Sequence, residues 1–446
     1  MKNKELYKPF DLRSVEKSQT LLLNEQSRNL ENSGREVFKF GFGQSPFPPL
    51  ARAIAALQQN AQRKDYSPVQ GILPLRERIA EFHKNAEGID VDASRVLVAP
   101  GSKILIYAAM AAFKKADILI PAPSWVSYRP QAALLNHAAI SVETTAQKRW
   151  RITPEAIEKA VRQKTDAKSP SVLILNYPGN PDGLSYSAAE LRALAESFRK
   201  HNILVISDEI YGLLNHQGTH RSVALDYPEG TIVTGGLSKW CGAGGWRLGI
   251  ALLPKALDGE YKETLLGIAS ETYSCASLPV QYAACEAYLW DSVTQDYLAH
   301  QRRILALTGN WASSQLQNTG MVAHAPEGGF YLFLDFSPLA ESFKHQGIST
   351  SNQLCERLLA DTGIALLPGD AFGMESSHLS ARLAYVEFDG VAALAASEKL
   401  GLQNKLDETF LRQHLAKTVR GIEQLCRWTQ DIADSNSFNK ITARAV

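Results

Sequence analysis

The chain has 446 residues, 45% of them apolar and 21% charged, the make-up of a globular protein with material for a sizeable core. Its 47 basic and 46 acidic side chains leave a net charge of +1, which argues against the electrostatic footprint of a nucleic-acid or anionic-membrane binder. Met1–Phe10 shows no signal-peptide h-region, and no apolar run approaches the roughly 18 residues of a spanning helix. Five cysteines without CxxC spacing argue against a zinc site or disulfide framework and for a reduced, cytoplasmic setting.

The pattern predicts a first helix over Val15–Glu31, then a loop where Pro and Gly cluster in Gly41-Phe42-Gly43-Gln44-Ser45-Pro46-Phe47-Pro48-Pro49. Short apolar runs follow at Val96–Ala99, Ile118–Ile120, Val172–Leu175, Ile203–Ser207, Thr231–Thr234 and Ile250–Leu253. Runs of this kind fit strands buried on both faces. Helical segments such as Ser102–Lys114 and Ser187–Lys200 lie between them. The alternation predicts an α/β fold, a mostly parallel sheet with helices on both faces. Beyond about residue 310 the character changes. Strand-like segments at Gly329–Phe336 and Arg382–Phe388, with helices over Ser351–Thr362 and Asp407–Gln430, predict a smaller α+β domain. The expected organisation is an N-terminal arm (1–45) packing with the small domain, a large domain (46–310) and a small C-terminal domain (311–446).

Open α/β sheets bind ligands beyond the carboxyl ends of their strands, so the polar residues where apolar runs stop are the candidates. Ile203–Ser207 runs into Asp208-Glu209-Ile210-Tyr211. A carboxylate at a buried strand end is costly unless it meets a cation, and a pyridinium nitrogen is such a cation; the plain alternative is a helix cap or turn. Val172–Leu175 runs into Asn176-Tyr177-Pro178-Gly179-Asn180-Pro181-Asp182-Gly183, a forced turn in which Asn180 can give its amide to a ligand oxygen. Thr231–Thr234 runs into the glycine-rich Gly235–Gly249. There Lys239 is a poorly solvated amine suited to Schiff-base chemistry, with Ser238 and Arg247 able to bind a phosphate beside it. The glycines do not match the dinucleotide pattern G-x-G-x-x-G. Val96–Ala99 runs into Gly101-Ser102-Lys103 and a helix, whose free N–H groups make a phosphate cradle without being a P-loop.

Together these motifs resemble the fold-type I pyridoxal-phosphate aminotransferases of class I/II, in particular their bacterial aspartate and prephenate branch. The resemblance runs from about Gly41 to Arg382 and beyond, and the Asn180–Asp208 and Lys239–Arg247 spacings carry it with the Asp208–Tyr211 pair. It implies an amino-acid:2-oxo-acid aminotransferase, working by ping-pong transfer with pyridoxal 5'-phosphate as cofactor. By that resemblance Lys239 carries the cofactor as a Schiff base and shuttles the proton, Asp208 binds the pyridine nitrogen, and Asn180 and Tyr211 bind the 3'-oxygen. Trp125 stacks on the ring. Gly101, Ser102, Ser238 and Arg247 bind the phosphate, with Tyr66 reaching it from a neighbouring subunit. Gly43 and Arg382 bind the substrate α-carboxylate, and Asn180 lies beside it. Taken singly, Trp125 reads as a core aromatic and Arg382 as a surface strand residue; the set gives them their roles.

The resemblance further implies a homodimer with shared sites and small-molecule partners, an amino acid and a 2-oxo acid. Lys103 matches the lysine that binds a distal carboxylate in the aspartate and prephenate relatives, which points to an acidic substrate such as aspartate or glutamate; the alternative is a solvent-facing lysine on a first helical turn. The segment Ile268–Gln281, where a neighbouring-subunit arginine serves that purpose in another branch, has no Lys or Arg. Three departures stand out. Position 236 is Gly where many relatives carry a phosphate-binding Ser, Asp182 replaces the usual Thr and reads as a plain turn residue, and Ser45-Pro46-Phe47-Pro48 differs from the common Pro-Asp-Phe. A β-lyase or decarboxylase built on the same cofactor stays open as a second reading. A cofactor-binding regulator is disfavoured, because the substrate loop begins near Gly41 and leaves no space before it for a DNA-binding domain. No metal is expected.

Overall fold

Seven short strands, rich in Val, Ile and Leu, stack side by side because neither of their faces suits water. They are β1 (Val96–Ala99), β2 (Asp117–Ala122), β3 (Ala138–Glu143), β4 (Ser171–Asn176), β5 (Ile203–Asp208), β6 (Thr231–Gly236) and β7 (Gly249–Leu252). The computed structural model describes residues 19–164 and 166–442. In it the strand order is β1-β7-β6-β5-β4-β2-β3. Pairs β2–β3, β2–β4, β4–β5 and β5–β6 are parallel, and β7 runs antiparallel to both β1 and β6. Helices cover the two faces, and separate apolar clusters fill each side: Ile118, Val172, Ile206 and Ile232 on one, Leu119, Leu173, Leu175 and Val205 on the other.

The expected mostly parallel sheet is present, with one strand the sequence reading missed. β3 is an edge strand whose Ala138, Ala139 and Glu143 are exposed, so it carries no continuous apolar run to betray it. The second sheet holds β8 (Tyr331–Asp335), β9 (Leu367–Pro368) and β10 (Ser380–Ala384), all antiparallel in the order β8-β10-β9. The helix expected over Asp407–Gln430 is two, Glu408–His414 and Ala416–Thr442, parted at Leu415, where φ is −123°. The first helix runs over Gln19–Asn32; the part expected at residues 15–18 lies outside the described residues, as does the Met1–Phe10 segment. Residue 310 sits inside a continuous helix, Ser292–Gln317.

Two connections tie the small sheet to the large one. The segment after the first helix lies along the small sheet: Phe38 bridges Ile364, and Ala384 N donates to Phe40 O at 2.7 Å. The turn after β4 does the same from the other side. Gly183, at φ +70°, leaves no room for a Cβ against the Tyr331 carbonyl. Its own carbonyl accepts from Glu327 N at 2.8 Å and Gly328 N at 3.0 Å. Asp182 is therefore more than a turn residue. Its carboxylate accepts from Leu184 N at 2.8 Å and pairs with Arg151 at 2.5 Å, both side chains 5% exposed. The Arg151 guanidinium also lies 4.7 Å from the Tyr186 ring.

Breaking a buried ion pair leaves an uncompensated charge. Asp182→Ala is expected to cost about 3–5 kcal/mol of stability in urea unfolding. Pairing Asp182→Leu with Arg151→Met should recover most of that loss, and a single mutant no less stable than the double one would contradict the account.

Candidate functional site

β4, β5 and β6 end side by side, and Asn176 and Asp208, which end β4 and β5, line one cavity of about 540 Å³ together with Ser238 and Lys239 just beyond β6. β5 delivers Asp208, paired in register with Asn176 of β4 and Thr234 of β6. Asp208 is 4% exposed. Tyr128 Oη donates to its Oδ2 at 2.7 Å and Thr234 Oγ1 to its Oδ1 at 3.4 Å. Asn176 Nδ2 donates to the Asp208 carbonyl at 2.6 Å, while Asn176 Oδ1 accepts from Asn180 N at 2.8 Å. Burial pushes the Asp208 carboxyl up to about 6, against the lowering hydrogen bonds of Tyr128 and Thr234.

Outside the cavity lining, two further carboxylates are buried against imidazoles. Glu209 meets His220 Nε2 at 2.8 Å and accepts from Ser207 and Ser222, and Glu87 meets His83 Nδ1 at 2.6 Å. The Asp208 carboxylate thus faces the cavity alone, with no cationic side chain bonded to it among the described residues.

The cations line the opposite walls. Lys239 follows β6, and its Nζ donates to the Gly43 carbonyl at 2.7 Å. Arg247 takes a left-handed backbone, φ +56°, and donates to Gly244 O at 3.0 Å; such a conformation is uncommon for a non-glycine residue and gathers at functional sites. Its guanidinium lies so close to Gly101 that a Cβ there would collide with it. Gly101 in turn opens the helix Ser102–Ala111 with no side-chain cap, leaving first-turn N–H groups free. Lys103 Nζ sits 4.9 Å from the Trp125 ring; burial, and then Arg247, lower its ammonium. Arg382, on β10, is 2% exposed. It donates from Nη1 to Asn180 Oδ1 at 3.0 Å and from Nη2 to Gly41 O at 2.6 Å, and its buried Nε has no partner.

Gly43, Ser102, Lys103, Trp125, Asn180, Asp208, Tyr211, Ser238, Lys239, Arg247 and Arg382 all line this one cavity. Gly101 stands just behind its wall, against Arg247. Tyr66 does not reach it: the side chain is 90% exposed and outside the lining. Gly236 also lies outside, and its missing Cβ is explained, since at φ +153° one would strike the Leu248 carbonyl just before β7. A serine in that position has no room here. The sequence reading missed Tyr128, Asn176 and Tyr331. Asn176 opens the turn the reading had singled out, where its contact with Asp208 depends on strand register; Tyr128, three residues after Trp125, begins the helix Tyr128–Leu134 and meets Asp208 only through the fold. Tyr331 is the first residue of β8 and gives no local signal.

The fold is one already known among solved structures. The chain superposes on the aspartate aminotransferase of Thermus thermophilus with maleate (TM-score 0.76, 24% identity, 93% of this chain and 100% of that one). It does so equally on the aspartate aminotransferase of Rhizobium meliloti (TM-score 0.77, 23% identity, 94% and 99%). These likenesses establish the fold-type I architecture. The family model for aminotransferase class I and II matches residues 35–387, and the chain belongs to that family. Relatives include an aspartate aminotransferase of Geobacillus stearothermophilus, 32% identical over 81% of this chain and 90% of the relative. An aspartate/prephenate aminotransferase of Cereibacter sphaeroides is 30% identical over 85% and 94%. An asparagine–oxo-acid transaminase of Streptococcus mutans is 29% identical over 80% and 90%. Among the described residues, no helix is long and apolar enough to cross a membrane.

Asp208 makes a pH prediction for the cofactor-free protein. Its folded value of about 6 lies above the ordinary 3.8, so the folded state takes up a proton that the unfolded state has lost. Stability then falls as pH rises through that window. Asp208→Asn removes the effect. Relative to the unsubstituted protein, the variant should gain stability between about pH 4 and 6, by at most about 3 kcal/mol, and gain no more above it. A pH-independent difference between their melting curves would show that Asp208 is not the group responsible.

Proposed function

We propose that this aminotransferase uses pyridoxal 5'-phosphate to move an amino group between an acidic amino acid, such as aspartate or glutamate, and a 2-oxo acid. One observation carries the reading: four cationic side chains, Lys103, Lys239, Arg247 and Arg382, surround one buried carboxylate, Asp208, in a single cavity. That charge pattern is complementary to a phosphate and carboxylates on one side and to a protonated ring nitrogen on the other. The residues fit the cofactor on their own terms too. Asp208 is a buried carboxylate with no cation bonded to it, and Arg382 is a buried guanidinium with an unused donor; each is costly until an opposite charge arrives.

When bound, the cofactor supplies an aldehyde that condenses with amines and a pyridine ring that withdraws electrons from the bonds at the substrate's α-carbon. The chain's own residues do the rest. Lys239 Nζ, which donates to Gly43 O in the cofactor-free protein, is the base that takes the α-proton and returns it. Asp208 keeps the ring nitrogen protonated, with Tyr128 and Thr234 fixing its two oxygens. Asn180 and Tyr211 donate to the ring's 3'-oxygen, and the Trp125 face packs on the ring. Ser102, Ser238, Arg247 and the free N–H groups after Gly101 take the phosphate. Arg382, already gripped by Asn180 and the Gly41 carbonyl, offers its fork to the substrate α-carboxylate.

Lys103 is assigned to the distal carboxylate. It lines the cavity over Trp125 with its side chain open to solvent, and the relatives above are named for aspartate, asparagine and prephenate. The exposed Tyr66 supports a homodimer in which it serves the neighbouring site. We read the chain as cytoplasmic from its cysteine usage, and as three parts, an arm (1–45) with the segment near Phe38 along the small sheet, a large unit (46–310) and a small one (311–446).

Lys239→Ala is expected to abolish turnover and the visible absorbance acquired with pyridoxal phosphate, because no other amine lines the cavity at that place. A borohydride-reducible chromophore retained on the variant would refute the assignment.

Lys103→Ala should lower kcat/KM for dicarboxylic substrates by about 1.5–3 kcal/mol, the worth of a charged hydrogen bond, and leave apolar donors nearly unchanged. Assays with aspartate and with leucine as donors, 2-oxoglutarate being replaced by an apolar oxo acid in the second, separate the cases. Equal losses would move Lys103 to the phosphate or to structure.

A further inference from the structure

Tyr331 touches three of the groups given a role above, Tyr211, Gly43 and Arg382, yet nothing local in the sequence singles it out. It is 1% exposed and lines the cavity from the small sheet. Its hydroxyl is 2.9 Å from the Tyr211 hydroxyl and 3.4 Å from the Gly43 carbonyl, the same carbonyl that accepts from Lys239 Nζ. Its ring lies 4.7 Å from the Arg382 guanidinium and edge-on to Tyr211, with centroids 5.5 Å apart. A Cβ on Gly43 would collide with the Tyr331 hydroxyl, so the glycine at position 43 is required by this side chain.

Two phenols joined by one hydrogen bond share a choice of direction. If Tyr211 donates to Tyr331, the Tyr331 proton goes to Gly43 O and Tyr211 has nothing left to give a ligand. If Tyr331 donates to Tyr211, the Tyr211 proton is released toward the cavity, and the incoming bond makes it a better donor. The distances favour the second arrangement, because Tyr331 Oη lies 2.9 Å from the Tyr211 hydroxyl and only 3.4 Å from the Gly43 carbonyl, at the edge of hydrogen-bond range. We infer that Tyr331 is a positioning residue that turns the Tyr211 hydroxyl toward the cofactor's 3'-oxygen, while its ring props the Arg382 guanidinium. The inference deepens the proposed function and rests on that reading of the site.

The two parts of the role separate by substitution. Tyr331→Phe keeps the ring and loses the hydroxyl; Tyr331→Leu loses both. In the cofactor-loaded protein, Tyr331→Phe should raise the pH midpoint of the visible absorption by roughly half a unit, the worth of one neutral hydrogen bond. It should lower kcat several-fold and leave binding of a non-reacting dicarboxylate, succinate, within about twofold. Tyr331→Leu should in addition weaken succinate by roughly tenfold, through the lost contact with Arg382. In a Tyr211→Phe background, Tyr331→Phe should move the midpoint no further, since it acts through Tyr211. A normal visible band whose midpoint Tyr331→Phe leaves in place, or shifts equally in both backgrounds, overturns the inference alone. If the unsubstituted protein acquires no visible band with pyridoxal phosphate, the reading of the site fails and the inference falls with it.

Discussion

The constraint on which the rest of this structure depends is an unbalanced charge set inside one cavity. Four cations and a single carboxylate converge where β4, β5 and β6 end, and no arrangement of these side chains among themselves neutralises them all. Outside the cavity lining, the protein shows the opposite solution: Glu209 with His220, and Glu87 with His83, are paired at hydrogen-bond distance. The contrast is informative. Where the chain needs only structure it closes its ion pairs, and where it faces the cavity it leaves them for a ligand.

Backbone geometry makes the approach of these charges possible. Parallel strands point their carboxyl ends at one edge, so residues far apart in sequence arrive in register, as Asn176 with Asp208 and Asp208 with Thr234. Close contacts then depend on missing side chains. A Cβ at position 101 would meet the Arg247 guanidinium, and one at position 249 would meet the Gly101 carbonyl carbon and the Ser102 nitrogen. The cavity beside the helix start is therefore shaped by two glycines and a left-handed arginine.

Much of this was legible in the sequence because the signals were local. Buried strands announced themselves as apolar runs, and polar residues in the turns after four of them line the cavity; Asp208, Asn180, Lys239 and Ser102 were found that way. Arg382 was not: on β10 it carried no such mark, and only its place in the whole set of motifs named it. What was not legible depends on register or on distance in sequence. β3 was lost because an edge strand mixes exposed and buried positions. Tyr128 stands three residues after Trp125, but its bond to Asp208 spans 80 residues. Asp182 looked like any turn aspartate, because nothing near it in sequence announces Arg151 as its buried partner.

That partner changes how the site should be understood. The turn carrying Asn180 is fastened on one side by the Asp182–Arg151 pair and on the other by Gly183, whose carbonyl binds the segment leading to Tyr331. Asn180 and Tyr331 both meet Arg382, which belongs to the small sheet. Arg382 is thus set by contacts from both sheets, and the large sheet's contribution passes through one turn. Tyr331, on the same small sheet, reaches back to the large one through the Tyr211 hydroxyl at 2.9 Å. The small sheet's two side chains and the large sheet's Asn180 and Tyr211 are therefore joined by hydrogen bonds, and a displacement of either set is felt by the other.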